Sequence, residues 1–208
     1  MKLAIIDLLG LTYDGDTLTK RGLGGSESAV ILISKELVKV GFDVTVYNNC
    51  IDSEAKPGEY DGVTFIDHSQ FTNDIKYDII ISSRSVYSFL PNSQYREMID
   101  KSLYKIVWMH DTFCEGDEHI EDMINSGLID ELFTLSDFHS TYVLNCDHGK
   151  KRNFEVLKHK IFMTRNGAVK YGDEVDLSKK DKNHFVYNAS VTKGLNPLLV
   201  PLTKKKER

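Results

Sequence analysis

The stretch RGLGGSESAVILISKELVKVGFDVTVY, Arg21 to Tyr47, decides how the rest of the chain reads. Two adjacent glycines, Gly24 and Gly25, open a segment in which Ala29, Leu32, Ile33, Leu37 and Val40 recur at three- and four-residue spacing. That period belongs to an amphipathic helix with one face in the core, and Gly41 supplies its stop. DVTVY at 43–47 then reads as a strand. A glycine turn, a helix and a strand in that order are half of a crossover unit, so a mainly parallel sheet is expected.

Working outward, short apolar runs rich in β-branched residues recur on both sides: LAIIDL at 3–8, GVTFI at 62–66, YDIIIS at 77–82, YKIVWM at 104–109, ELFTLS at 131–136 and KIFMT at 160–164. Parallel strands buried on both faces read as such continuous apolar runs. Helix-length segments separate them at about 92–101, at 117–126 ending at Gly127, and at 137–148 ending near Gly149. The fold class is therefore α/β, a Rossmann-like, mainly parallel β-sheet flanked by helices, over residues 1–170. The charge-rich, apolar-poor stretch that follows, GDEVDLSKKDKN at 172–183, reads as a linker spanning 171–183. HFVYNAS at 184–190 and GLNPLLVPL, a helix start interrupted by Pro201, cannot bury their own apolar faces. Residues 184–208 are expected to begin a second, truncated domain.

The composition narrows the function classes. With 208 residues, 41 % of them hydrophobic, the chain can bury a sizeable core. A net charge of -5, with Lys and Arg scattered except in the tail KKKER, argues against an extended nucleic-acid footprint. Cys50, Cys114 and Cys146 form no CxxC pair, so neither a disulfide framework nor a cysteine zinc site is indicated. No apolar run approaches the roughly 20 residues of a membrane span. A cytoplasmic protein is expected, with peripheral membrane attachment left open.

Several residues are candidates for chemistry. Gly24 and Gly25 at a loop-to-helix junction let backbone N–H groups approach an anion at the positive end of the helix, or else simply make a tight turn. GLGG is neither the GxGxxG of dinucleotide-binding folds nor a P-loop, which disfavours a nicotinamide oxidoreductase. Glu27 in the first helical turn would repel a phosphate placed too close, and is expected to meet sugar hydroxyls or to cap the turn. His110 and Asp111 end a strand, where open α/β sheets bind ligands, although a hydrogen-bonded structural histidine is the alternative. A metal site from His110, Cys114, Glu115, Asp117 and His119 matches no familiar spacing, and no metal is expected. Asp14-Gly15-Asp16 has the form of a metal-holding DxD triplet but reads as a loop, because Asp-Gly is a preferred turn. Arg84 offers a bidentate clamp for a carboxylate or phosphate, or a plain surface arginine. Ser136 stands where an N-cap serine belongs.

In order along the chain, these pieces resemble the GT-B nucleotide-sugar glycosyltransferases, family 4 in particular. GLGGSESAVILISKELVKVGFDVTVY looks like their opening glycine, helix and strand unit. IVWMHD is similar to the mid-domain strand that ends in a histidine, DELFTLSDFHSTYV to the segment with a serine at a strand end, and KIFMTRNGA to the strand and Asn-Gly closing the first domain. HFVYNASVTKGLNPLL resembles the opening of the second domain. The resemblance implies a retaining, metal-independent hexosyl transfer from a nucleotide-diphosphate sugar to an acceptor hydroxyl, with no cofactor beyond the donor itself. It would place Gly24 and Gly25 by the donor diphosphate or its sugar, His110 by the transferred sugar, and Lys193 on the donor phosphates. Asp111, Ser136 and Asn166 would join Glu27 and Arg84 as substrate contacts, and a carbohydrate or lipid-linked acceptor would be the partner. YNASVT lacks the arginine that the family usually carries ahead of the lysine. Because most nucleotide contacts lie in the family's second domain, the chain is expected to be a fragment of the enzyme. A non-catalytic glycan- or partner-binding module on the same fold is the alternative.

Overall fold

The computed structural model describes residues 1–111, 117–145 and 157–165, all within one compact unit, Met1–Gly167. Eight strands form a single sheet: β1 Lys2–Asp7, β2 Asp43–Asn48, β3 Gly58–Tyr60, β4 Val63–Asp67, β5 Ile79–Ser83, β6 Tyr104–Trp108, β7 Glu131–Thr134 and β8 Ile161–Met163. Their order is β3-β4-β2-β1-β5-β6-β7-β8. Every neighbouring pair is parallel except β3 with β4. The chain moves from β1 outward to β2 and β4, then returns to lay β5 on β1's other side. The strand order therefore reverses at β1 and β5, where open α/β sheets form a ligand crevice beyond the carboxyl ends. The seven strands expected over residues 1–170 form, and the mainly parallel α/β architecture is compatible with a Rossmann-like fold; the strand expected at 184–190 lies outside the described residues.

Period-two alternation assigns the two faces. Leu3, Ile5, Ile81, Ile106 and Trp108 point to one layer, where they pack with Val30, Ile31, Val44, Val46, Val63 and Phe65. Ala4, Ile6, Ile80, Val107 and Met109 point to the other, with Phe89, Tyr95, Met98, Ile99, Ile120, Met123 and Ile124. Helices supply those partners: α1 Thr17–Lys20, α2 Gly25–Lys39, α3 Arg96–Asp100, α4 Ile120–Asn125 and α5 Asp137–Asn145. Thus α2 covers the first face, and α3 and α4 cover the second. No helix among the described residues is long and apolar enough to cross a membrane.

The helices depart from expectation in detail. The 92–101 segment is helical only over Arg96–Asp100, and 117–126 divides into a 3-10 turn, Asp117–His119, followed by α4. The buried stripe of α2 is Glu27, Val30, Ile31 and Ser34, while Ile33 and Val40 are exposed. The apolar periodicity alone sets the inward face about one residue off, because the true face includes two polar residues whose hydrogen-bond partners lie inside. Strand β3 was not expected at all. It is joined to β4 by Asp61-Gly62, both at positive φ (53° and 81°), the conformation that a two-residue hairpin demands and that Asp-Gly adopts readily. Asn166, Lys193, Cys114, Cys146, the linker and the beginning of the second domain lie outside the described residues.

Candidate functional site

At the carboxyl end of β1 the first-face alternation Leu3, Ile5 reaches Asp7, a carboxylate that is almost fully buried. Tyr13 donates its hydroxyl to Asp7 Oδ2 at 2.7 Å. Arg84 follows directly after β5, takes a left-handed φ of 63° and anchors its own N–H on the Trp108 carbonyl at 2.9 Å. That backbone costs on the order of 1–3 kcal/mol for a non-glycine residue. The guanidinium Nη2 sits 3.4 Å from Asp7 Oδ1 and 3.3 Å from Glu27 Oε1, with only 13 % of the side chain exposed. The surface-arginine reading is therefore corrected: Arg84 is an internal tie between the ends of β1 and β5 and the first turn of α2.

Glu27, 3 % exposed, completes the tie. Its Oε1 also accepts from the Leu11 N–H at 3.2 Å, and its Oε2 from the Ser26 hydroxyl at 3.1 Å. Neither bond is the reciprocal contact of a capping box, so Glu27 clamps the loop after β1 onto the helix instead of capping it. The glycines now separate by role. A Cβ at Gly10 or at Gly24 would collide with the Glu27 carboxyl, whereas one at Gly25 would meet nothing within 4 Å. Gly10 and Gly24 make room for Glu27, and Gly25 leaves the first turn of α2 open.

His110 continues the alternation of Ile106 and Trp108, and its ring packs tilted against Trp108 with centroids 4.2 Å apart. Its Nε2 is buried and has no hydrogen-bond partner. Burial, reinforced by the Arg84 charge and only partly offset by Glu27, pushes the imidazole down to about 4. At neutral pH it is an uncharged ring with a free nitrogen, able to exchange a hydrogen bond with a hydroxyl but a weak proton acceptor. Asp7 moves the other way: burial, against the pull of Arg84 and Tyr13, raises it to about 6. With Asp7 ionised the Asp7, Glu27 and Arg84 group carries one net negative charge, and with Asp7 protonated it is neutral.

Ser136 accepts the His139 N–H at 3.1 Å, which is the N-cap bond of α5. His139 Nδ1 in turn accepts from the Leu135 N–H at 3.2 Å, and burial lowers its pKa against the influence of Asp111. Asp111 is exposed. The Asp14 carboxylate is buried and accepts from the Asp16 and Lys56 N–H groups and from the Thr17 and Tyr60 hydroxyls. It is a structural turn acceptor that ties the loop after β1 to the β3 edge. Among the described residues no cluster of His, Cys, Asp and Glu has the geometry to hold a metal ion.

Asp7 and Tyr13 were not anticipated. The signal was present in KLAIID, where a carboxylate directly extends a buried alternation, but nothing local distinguishes it from an exposed strand terminus. No family model matches the chain, and no curated protein matches it significantly.

Proposed function

We propose that this chain carries the acceptor-side domain of a GT-B, family 4-like glycosyltransferase, moving a hexose from a nucleotide-diphosphate sugar to an acceptor hydroxyl with retention and without a metal. The observation that carries this reading is His110, a neutral imidazole with an unpartnered Nε2 at the carboxyl end of β6. It is close enough to feel Glu27 in the first turn of α2 and Arg84 at the point of strand reversal. An uncharged nitrogen left without a partner at this end of the sheet suits a sugar hydroxyl better than a phosphate or a carboxylate. The open first turn at Gly25, with its free N–H groups and positive dipole end, suits the donor diphosphate. Glu27 and Arg84 hold that turn against β1 and β5. The family resemblance adds Lys193 as a charge on the leaving diphosphate and Asn166 as a substrate contact, and makes a carbohydrate or lipid-linked acceptor the partner.

The test is titration of histidine-labelled protein with UDP-, GDP- and ADP-hexoses, read by the ring resonances of His110, together with nucleotide release in the presence of hexoside acceptors. One donor should shift His110 and release its nucleotide, and His110→Ala should cut release at least about 100-fold without loss of fold. Absence of both responses with every donor would sink the reading.

A further inference from the structure

A recess lies at the same end of the sheet, on the face opposite Asp7 and Arg84. It has a volume of about 660 Å³ and is lined by residues that follow β1 (Leu8), β4 (His68) and β5 (Tyr87 to Tyr95). Leu8 points away from Asp7 by the same alternation that divides the two core layers, and it packs with the second-face cluster. The recess and the Arg84 cluster are therefore back to back across the end of β1.

The lining is chemically selective. Its members include Tyr87, Ser88, Asn92, Ser93, Gln94 and Tyr95, with His68, and no acidic, lysine or arginine side chain is among them. Apart from the His68 imidazole, such a wall has nothing to neutralise a phosphate or a carboxylate. Tyr87, 47 % exposed, gives it aromatic surface, while Tyr95 is 2 % exposed and its hydroxyl makes no hydrogen bond of ordinary geometry. Gln94, whose side chain lies near that hydroxyl, donates one of its two amide N–H groups to the His68 carbonyl at 3.0 Å. A buried hydroxyl left unmatched costs about 1–3 kcal/mol, which a ligand hydroxyl would recover. An exposed tyrosine ring beside neutral hydroxyl and amide groups fits a ring with C–H faces and a rim of hydroxyls. The volume also falls in the ordinary range for small-molecule sites.

We infer that this recess is a binding subsite for an uncharged, polyhydroxylated ring, a neutral sugar residue, held between Tyr87, Tyr95 and the Asn92–Gln94 loop. It stands on this lining alone and does not require the transfer chemistry proposed for His110.

The experiment is amide-resolved NMR of the full chain with methyl α-glucoside, methyl α-galactoside and methyl α-mannoside. Inorganic phosphate and adenosine serve as contrasting probes. At least one glycoside should shift residues 87–95 and His68, and phosphate should not. Tyr87→Ala and Asn92→Ala, both at exposed positions, should each weaken that glycoside about fivefold or more. Tyr95→Phe should weaken it comparably while holding or raising Tm, because the variant removes an unpaired buried hydroxyl; a merely structural hydroxyl would lower Tm and leave affinity unchanged. Shifts in 87–95 with phosphate or adenosine but with no glycoside would overturn the assignment. So would a glycoside that shifts only Gly25 and His110.

Discussion

Burial acts on Asp7 and His110 in opposite senses, so each hides the other's pH dependence. Asp7 holds its proton more tightly folded (about 6) than at its ordinary 3.8. The stability it contributes is complete below about 3.8 and is lost as pH rises through about 6, roughly 3 kcal/mol in all. His110 is harder to protonate folded, about 4 against 6.5. Its contribution is complete above about 6.5 and is lost as pH falls through about 4, also roughly 3 kcal/mol. Between about pH 4 and 6 the two slopes oppose. Urea unfolding at pH 4, 5, 6 and 7 should therefore show Asp7→Asn gaining stability with pH more steeply than the parent, and His110→Gln losing it. Parallel curves for Asp7→Asn and the parent would mean that burial does not perturb Asp7. In Asp7→Asn the Glu27 contact still holds Arg84, so the change tests titration more than collapse of the tie.

At the scale of the element, three glycines around one helix terminus should respond differently to the same added methyl group. Gly24→Ala and Gly10→Ala each drive a Cβ into the Glu27 carboxyl. That carboxyl cannot swing aside without giving up Arg84, the Leu11 N–H and the Ser26 hydroxyl. Each should cost about 1–3 kcal/mol by thermal or urea unfolding, Gly10→Ala the more because its φ of 109° is itself unfavourable for alanine. Gly25→Ala has open space and a helical position, so it should be neutral or stabilising by up to about 1 kcal/mol. If the first turn of α2 receives a diphosphate, Gly25→Ala should nevertheless weaken nucleotide-sugar binding several-fold. A variant of unchanged stability and unchanged donor affinity would remove the turn from the site.

Across the whole molecule the sheet sets a gradient of stability. β1 has parallel neighbours on both edges and apolar layers on both faces, whereas β3 is a three-residue edge strand and β8 closes the opposite edge. Amide exchange should be slowest at Leu3–Ile6 and their partners Val44–Tyr47 and Ile79–Ser82. The edge amides of β3 and β8 should exchange through local opening, at least about 100-fold faster. Equal protection at β3 and β1 would contradict this arrangement.

Much of the architecture was readable along the chain because its causes are local. LAIIDL, DVTVY and YDIIIS are predominantly apolar since both of their faces are covered, and that property survives in one dimension. The hairpin at Asp61-Gly62 was equally local and was overlooked, its three-residue partner GEY carrying too little apolar character to read as a strand. The inward face of α2 was only partly legible: Glu27 and Ser34 are buried because Arg84 satisfies the one and the Val30 carbonyl the other, the second at 2.6 Å.

The sequence by itself determined the alternation of strands and helices, the glycine turn ahead of α2, the position of His110 at a strand end and the capping role of Ser136. These follow from periodicity and from contacts within a few residues. Only the tertiary structure decided that Asp7, Glu27 and Arg84 form one buried tie across 77 positions of chain, that the His110 Nε2 is left without a partner, and that a recess without carboxylate, lysine or arginine side chains lies behind them. Charge pairing and desolvation depend on which groups share a volume from which water is excluded, and that sharing is created by the order of the strands.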